Sequence, residues 1–437
     1  MVGQLGHVMV GLADSIMIGK LGTIPLAAGA FANSIFIVPM VFGIGMAFGL
    51  TTPVANADGQ KKPLKVRSYL KHGLYLNVAA TLLIFTILLL FSPYLNLLGQ
   101  DAAVVNLATS YFVIISSSLF PLLLFLTFKQ FAEGLSDTRV AMAISIGANL
   151  INMGLNYLLI YGHFGLPVMG LNGAGYATLI ARILMAVAMG LYVFKKPAYL
   201  AYTQAIQWFE INKSHFKAIL NIGVPSGLQY IFEVSAFAAA AVMMGWIDAE
   251  NLAAHQIAIS LASVSYMAAT GFGAAANVRV SNQLGAQNLT DMHLAARTNF
   301  IMTLGFMVFC GFIFFAGRFY LPTFYSEEPA VLQLAANLLI VAVFFQIFDG
   351  IQVTALGALR GLSETRIPTL ITLFTYWGVG LPASYFLGIV GPFGGMGVWY
   401  GLAIGLTIAS ILLYWRFESQ AKKLMQPSKL AMHVAKK

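Results

Sequence analysis

Three carboxylates sit where the surrounding sequence offers them little. Asp14, Glu233 and Asp349 lie well inside long apolar runs, whereas nearly all of the other Asp and Glu residues fall at breaks or run ends. An acid at the centre of a membrane helix costs about 2.5–3.5 kcal/mol on insertion scales, so three of them need a use. A carboxylate in a low dielectric resists carrying its charge, and can trade a proton for a cation as its surroundings open and close. That is the chemistry of ion-coupled movement across a membrane.

The neighbours of these acids support that reading. Gln346 and Gln352 stand three residues before and three after Asp349, which gives one polar face on a helix. Gln229 extends the face of Glu233 by one turn. Asn149, Asn152 and Asn156, at spacings of three and four, share a face of the fifth apolar run, and Thr178 on the next run adds a hydroxyl. Amide carbonyls are hard oxygen donors suited to a small cation beside a carboxylate. Interhelical hydrogen bonding is the alternative for each of these polar groups, and Asp14, five residues before Gly19, would otherwise reach the outer interface. Arg182, mid-run in the sixth, either pairs with an acid or faces a wet cavity, and the sequence assigns it no function.

Among the aromatics, Tyr266, Tyr376 and Trp377 are candidates to line a cavity for organic cations, together with Gln229, Gln256, Phe345, Gln346 and Gln352. The histidines show no ligand spacing, and His255, followed by Gln256, packs or bonds locally. No phosphate-cradling glycine loop, paired metal ligands or nucleophile motif appears, so neither ATP drive nor hydrolysis is supported. The expectation is a protein that is not an enzyme and has no cofactor. Its one inorganic partner is a coupling ion, Na⁺ or H⁺, with Na⁺ held at Glu233 and Asp349 or at Asp14, Asn152 and Asn156.

The elements that must position these groups follow from composition. Of 437 residues 59% are hydrophobic and 9% charged, against about 25% charged in a soluble domain. The mean hydropathy is +0.82. The apolar runs have helix length for a hydrocarbon core of about 30 Å, not barrel-strand length. They fall at 1–19, 24–56, 72–97, 104–128, 140–162, 173–194, 218–246, 251–283, 297–316, 331–359, 367–390 and 395–417. The expected fold is therefore an all-α membrane protein of twelve transmembrane helices, with the bilayer as a partner, in which Pro39 kinks the second helix.

Placing the first break outside collects Lys61, Lys62, Lys65, Arg67 and Lys71, and most other Lys and Arg residues, on the inner side, leaving Lys20 and Arg318 outside. Both termini are expected to be cytoplasmic, in a cell (inner) membrane. The balance of +9 then reports orientation, not nucleic acid. A single cysteine, Cys310, excludes an internal disulfide.

The chain repeats itself. Met17-Ile18-Gly19 with Leu26-Ala27-Ala28 matches Met243-Met244-Gly245 with Leu252-Ala253-Ala254 at an offset of 226. Val54, Asn56 and Gly59 match Val280, Asn282 and Gly285 at the same offset. GLSDTR (134–139) returns as GLSETR (361–366) at an offset of 227. Each copy spans six helices, an even number, so the halves share one topology and an axis along the membrane normal. The expected organisation is an amino-terminal lobe at 1–194, a cytoplasmic linker at 195–217, a carboxy-terminal lobe at 218–417 and a basic tail at 418–437. The charges break the symmetry, because Asp14 lies seven positions from the repeat-equivalent of Glu233 and the counterpart of the Asp349 helix has no central acid. By the same repeat the first helix is short by about nine residues; a signal peptide is disfavoured by the missing basic flank and by Gln4, His7 and Asp14.

GLADSIMIGKLGTIPLAA (11–28), NLINMGLNYLLIYG (149–162), FEVSAFAAAAVMMG (232–245), LAAHQIA (252–258), VRVSNQLGAQN (278–288) and FDGIQVTALGALRG (348–361) carry a likeness over essentially the whole chain. It resembles the multidrug and toxic compound extrusion (MATE) family, closest to the bacterial, NorM-like branch. The resemblance implies a monomeric antiporter that expels small hydrophobic or cationic organic compounds in exchange for Na⁺ or H⁺. It implies a cation site at Glu233 and Asp349, and an amino-lobe cation or proton site at Asp14, Asn152, Asn156 and Thr178. Where the family often has a tyrosine one turn before the second acid, this chain has Phe345, which removes an oxygen ligand. A flippase or exporter of lipid-linked or endogenous metabolites is the alternative, and the mostly acidic or neutral interior argues against it.

Overall fold

The computed structural model describes residues 14, 16–204 and 206–426. The helices are α1 (residues 14 and 16–19), α2 (Thr23–Gly59), α3 (Pro63–Leu98), α4 (Ala102–Gly134), α5 (Arg139–Tyr161), α6 (Gly170–Lys195), α7 (Lys213–Ile247), α8 (Ala249–Gly285), α9 (Leu289–Gly317), α10 (Pro329–Gly361), α11 (Arg366–Val390) and α12 (Gly394–Met425). Eleven of them, α2 to α12, are long and apolar enough to cross a membrane, and no described residue is in a strand. The expected shortness of the first helix lies outside the described residues.

The apolar runs dictate helices because hydrocarbon cannot satisfy a bare backbone amide. The breaks are set by local chemistry. Asp101 caps α4 by accepting from the Ala103 amide at 2.8 Å, and Asp248 caps α8 by accepting from Asn251 at 2.6 Å. Gly99 and Gly162 end helices in the left-handed conformation.

The internal repeat is written into the backbone as well. Lys61 and Gln287, 226 apart, both have positive φ, and so do Ser136 and Ser363, 227 apart. Each terminates a helix with the same six-to-one bond: Lys62 N to Ala57 O at 3.0 Å, Asn288 N to Gln283 O at 3.0 Å, Asp137 N to Ala132 O at 2.9 Å and Glu364 N to Leu359 O at 2.9 Å. The duplicated hexapeptides are therefore helix-ending corners. Their acids form clasps: Asp137 accepts from Tyr192 (2.6 Å), Lys196 (2.5 Å) and Tyr199 (2.6 Å), and Glu364 accepts from Arg416 Nε at 2.8 Å.

Burial pushes the Asp137 carboxyl up, but those three donors outweigh it and hold it below the usual carboxylate range. A depressed carboxylate stabilises the fold fully above its ordinary pKa and loses that contribution as pH falls through the depressed value. Asp137→Asn is therefore expected to cost about 1 kcal/mol at neutral pH, the upper end for an accessible ion pair. Thermal unfolding of detergent-solubilised protein should show variant and parent converging in acid; a difference that persists there would refute the clasp.

The residues group into two compact units. One holds 16–58 and 62–231, the other 59–61 and 232–426. The linker expected at 195–217 packs as part of the first unit: Lys71 Nζ donates to Gln207 O at 2.6 Å, Tyr75 donates to Trp208 O at 2.7 Å, and His72 Nε2 accepts from the Asn212 amide at 2.9 Å. The first half of α7 belongs there too, because glycines bring its backbone onto α2. A Cβ at Gly45 would stand 2.5 Å from Gly227 Cα. In the second unit α11 contains two wide turns of i→i+5 bonding, at Phe374–Gly380 and Phe386–Val390. Turns of this kind are frequent at functional sites.

Candidate functional site

In the first unit α1, α5 and α6 bring together the four groups that the sequence placed apart. Asn156 Nδ2 donates to Asp14 Oδ1. With the Asn152 amide turned so that donors face acceptors, its Nδ2 donates to Asp14 Oδ1 at 3.2 Å and its Oδ1 accepts from the Thr178 amide at 3.2 Å. The opposite orientation gives contacts of 3.4 Å to Thr178 Oγ1 and Asn156, longer bonds that leave the Asn152 carbonyl facing the carboxylate. The carboxylate is thus held by neutral N–H donors. Asn156 Oδ1, buried and without a partner among the described residues, the Asp14 oxygens and the Thr178 hydroxyl form a small set of hard oxygens. Asn149, on the same face, has its Nδ2 buried and unpartnered, and is not hydrogen-bonded into the cluster.

Replacing Asn156 by leucine should cost about 1–3 kcal/mol, since a buried acceptor loses its donor. In an Asp14→Asn background the same change should cost measurably less. A double-mutant cycle of unfolding free energies reads the coupling; additive effects would mean that the two side chains do not interact.

In the second unit α7, α8, α10 and α11 surround the other two acids. Glu233 and Asp349 are each 5% exposed and lie within electrostatic reach of one another. Tyr266 on α8 hydrogen-bonds Glu233. Tyr376 on α11 exchanges hydrogen bonds with Gln352 at 3.1 and 3.3 Å and lies in the field of both acids. No hydrogen bond to the Asp349 carboxylate is found among the described residues, and Gln346, one turn before it, is 1% exposed with both amide atoms unpartnered. Two buried carboxylates, two phenol hydroxyls and an unsatisfied amide form a site that lacks something: a shared proton, a cation or ordered water. Among the described residues no three His, Cys, Asp or Glu side chains cluster as metal ligands, so a metal here would rest on amide, hydroxyl and carboxylate oxygen.

The remaining candidates are more scattered. Phe345 packs edge-on against Phe237 and at a tilt against Trp399. Trp399 Nε1 donates to His255 Nδ1 at 3.1 Å, which makes His255 a local packing partner, as expected. Gln256 is exposed, Gln229 is buried in the first unit, and Trp377 is 44% exposed with its indole donating to Phe232 O. Tyr111 was missed: it is 4% exposed, and its hydroxyl, in electrostatic reach of Asp14, accepts from Asn33 at 3.4 Å. Its spacing of seven from Ser118 on one helix face was the available signal.

The family model described as MatE matches residues 1–158 and 225–386, nearly three-quarters of the chain. The chain belongs to the MatE family. Within it, the chain is 32% identical to the Probable multidrug resistance protein NorM of Rhizobium meliloti over 419 residues, 95% of this chain and 90% of that one. It is 32% identical to Multidrug resistance protein PmpM of Pseudomonas aeruginosa, over 98% of this chain and 90% of that one. The fold is that of the eukaryotic MATE transporter AtDTX14 (TM-score 0.85, 22% identity, 97% of this chain and 95% of that one). It is also that of a multidrug resistance MATE family transporter in an outward-facing conformation (TM-score 0.89, 19% identity, 97% and 94%). As a MatE protein the chain is a multi-pass membrane protein of the transporter class. The interval between the two matched stretches contains α6, so Thr178 joins the MatE residues Asp14, Asn152 and Asn156 from outside the part the family model covers.

Proposed function

We propose that this protein is a secondary antiporter that expels hydrophobic and cationic organic compounds in exchange for Na⁺ or H⁺. It acts as a monomer in the cell (inner) membrane, with both termini cytoplasmic. The observation that carries the reading is that, among the described residues, the hydrogen bonds of the embedded acids are to neutral groups, amides at Asp14 and a phenol at Glu233, while Asp349 has none and no arginine forms a salt bridge with any of the three. A carboxylate locked to a base is already neutralised; one held by amides and phenols can accept and release an ion. The names of the NorM and PmpM relatives support the multidrug part of the reading.

Ion and organic substrate favour different conformations. Binding of the ion at the acids from outside shifts the population toward the state that has released substrate, and its escape inside restores the other. The experiment is dye export from vesicles under an imposed Na⁺ gradient, then under an imposed pH gradient. One gradient should drive uphill transport and Glu233→Gln should lose that drive; uphill transport by the variant equal to the parent would remove Glu233 from coupling.

A further inference from the structure

The segment 206–212, between α6 and α7, is apolar at its tip. Phe209 is fully exposed, Ile211 is 67% exposed and Trp208 40%. In a connection surrounded by water such side chains have no partner, yet the backbone beneath them is pinned in place. Lys71 Nζ donates to Gln207 O and to Glu210 O, Tyr75 Oη donates to Trp208 O, and the Asn212 amide donates to His72 Nε2. The Tyr75 and Trp208 rings also meet edge to face, with centroids 6.1 Å apart. Further back in the linker, Ala201 O accepts from Arg67 at 2.9 Å. The linker therefore lies along the first turns of α3.

Those bonds fix its depth. The apolar run of α3 starts at His72, and Tyr75 is three residues inside it. Three residues of helix rise about 4.5 Å, so the tip hangs at the level where hydrocarbon begins. Trp and Tyr are enriched at that boundary. Outside the protein at this level there is lipid, and lipid is what covers Phe209 and Ile211. The same apolar surface continues along α3, where Leu82, Leu83, Ile87 and Leu90 are exposed.

The charge around the tip selects the kind of lipid. Ser68 Oγ and His215 Nδ1 share a hydrogen bond of 2.6 Å, and the Tyr69 ring packs on His215 at 4.5 Å, so the first turns of α3 and α7 lie side by side. Those turns expose Lys62, Lys65, Lys213 and Lys217. The one acid of the tip, Glu210, accepts from Gln207 at 2.7 Å once that amide is turned to face it. An apolar tip flanked by amines suits the boundary of an anionic leaflet, where the rings enter the acyl edge and the amines stay among the phosphates.

We propose that Phe209 and Ile211 insert the inter-lobe linker into the leaflet on its own side of the membrane, and that Lys62, Lys213 and Lys217 bind anionic phospholipid around them. The partner of this surface is a lipid headgroup layer, and the linker is held by it as well as by α3.

The test is spin-label depth on the full-length chain in lipid nanodiscs. Cys310→Ser removes the single cysteine, and Phe209→Cys carries a nitroxide at a fully exposed position, where folding is unaffected. Lys423→Cys, exposed at the end of α12, is the aqueous control. In nanodiscs containing phosphatidylglycerol, oxygen should relax the label at 209 more than a water-soluble nickel chelate does, and the order should reverse at 423. A label at 209 relaxed mainly by nickel would overturn the proposal. One shielded from both relaxants would overturn it too, because protein and not lipid would then cover the tip. Replacing Lys62, Lys213 and Lys217 by glutamine, or the lipid by phosphatidylcholine alone, should shift the label at 209 toward nickel. A depth that answers to neither change would overturn the anionic partner.

Discussion

Replacing Asp349 by asparagine is expected to flatten the response of substrate affinity to the coupling ion. In the parent, affinity for an organic cation should fall between ion-poor and ion-rich buffer by about 5–150-fold, the span of ordinary coupling energies of about 1–3 kcal/mol. In the variant it should change by less than about twofold, because a ligand with equal affinity for both states shifts nothing. The physical reason lies in the surroundings of Asp349. Its carboxylate is buried beside a like-charged group, accepts no hydrogen bond among the described residues and sits one turn from the unsatisfied Gln346 amide. Asparagine keeps the shape and removes the charge on which a proton or Na⁺ acts. Titrating a fluorescent substrate against Na⁺ at fixed pH, and against pH without Na⁺, separates the two ions. If the variant retains the full ion response, coupling does not pass through Asp349.

Gly357→Ala should be among the most damaging changes of comparable size. A Cβ at Gly357 would stand 2.0 Å from Gly273 O, and one at Gly273 would stand 2.8 Å from Val353 O. Both obstacles are backbone, so no rotamer relieves them and α10 must move away from α8. Overpacking costs typically about 1–3 kcal/mol and occasionally more, and a backbone clash belongs at the upper end. The displacement also moves Asp349 on α10 relative to α8, whose Tyr266 hydrogen-bonds Glu233, so ion response should suffer along with stability. Gly305→Ala, in α9 with open space around its Cβ, is the control and should gain up to about 1 kcal/mol of helix propensity. The yield of monodisperse protein and its melting temperature are the readouts. A Gly357→Ala protein as stable as the Gly305→Ala control would show that the two backbones do not touch.

The sequence made the helices legible because an unbroken apolar run in a chain this poor in charge has one stable backbone solution. The duplication was legible because helix-ending corners need particular residues, and the hexapeptides at 134–139 and 361–366 preserve them along with the acid of each clasp. Asp14, Asn152, Asn156 and Thr178 could be grouped from face periodicity and family likeness together, and the structure places them within hydrogen-bonding distance. What could not be read was which way the aromatics turn. Tyr266 and Tyr376 were suggested as ring surfaces for organic cations; that their hydroxyls bond Glu233 and Gln352 could not be read, because helix rotation is set by packing and not by spacing along one run. The sequence marked 195–217 as a linker; that its peptide groups bond to α3 side chains is a pairing that no local pattern announces.

The wide turns of α11 carry a last consequence, which concerns insertion and deletion. Tyr376 lies inside the first of them, where bonding runs i→i+5, so its heading toward Gln352 depends on how many residues precede it. Each residue of an α-helix turns the chain by about 100°. Loss of one residue between Arg366 and Phe374 would swing the Tyr376 hydroxyl away from Gln352 with every side chain of the acid site unchanged. The same loss between Leu381 and Val390, beyond the first wide turn, would leave that hydroxyl in place. The site can therefore be retuned by a single codon gained or lost in a helix that supplies none of its acids, and length variation in this stretch should alter ion response more than most substitutions there.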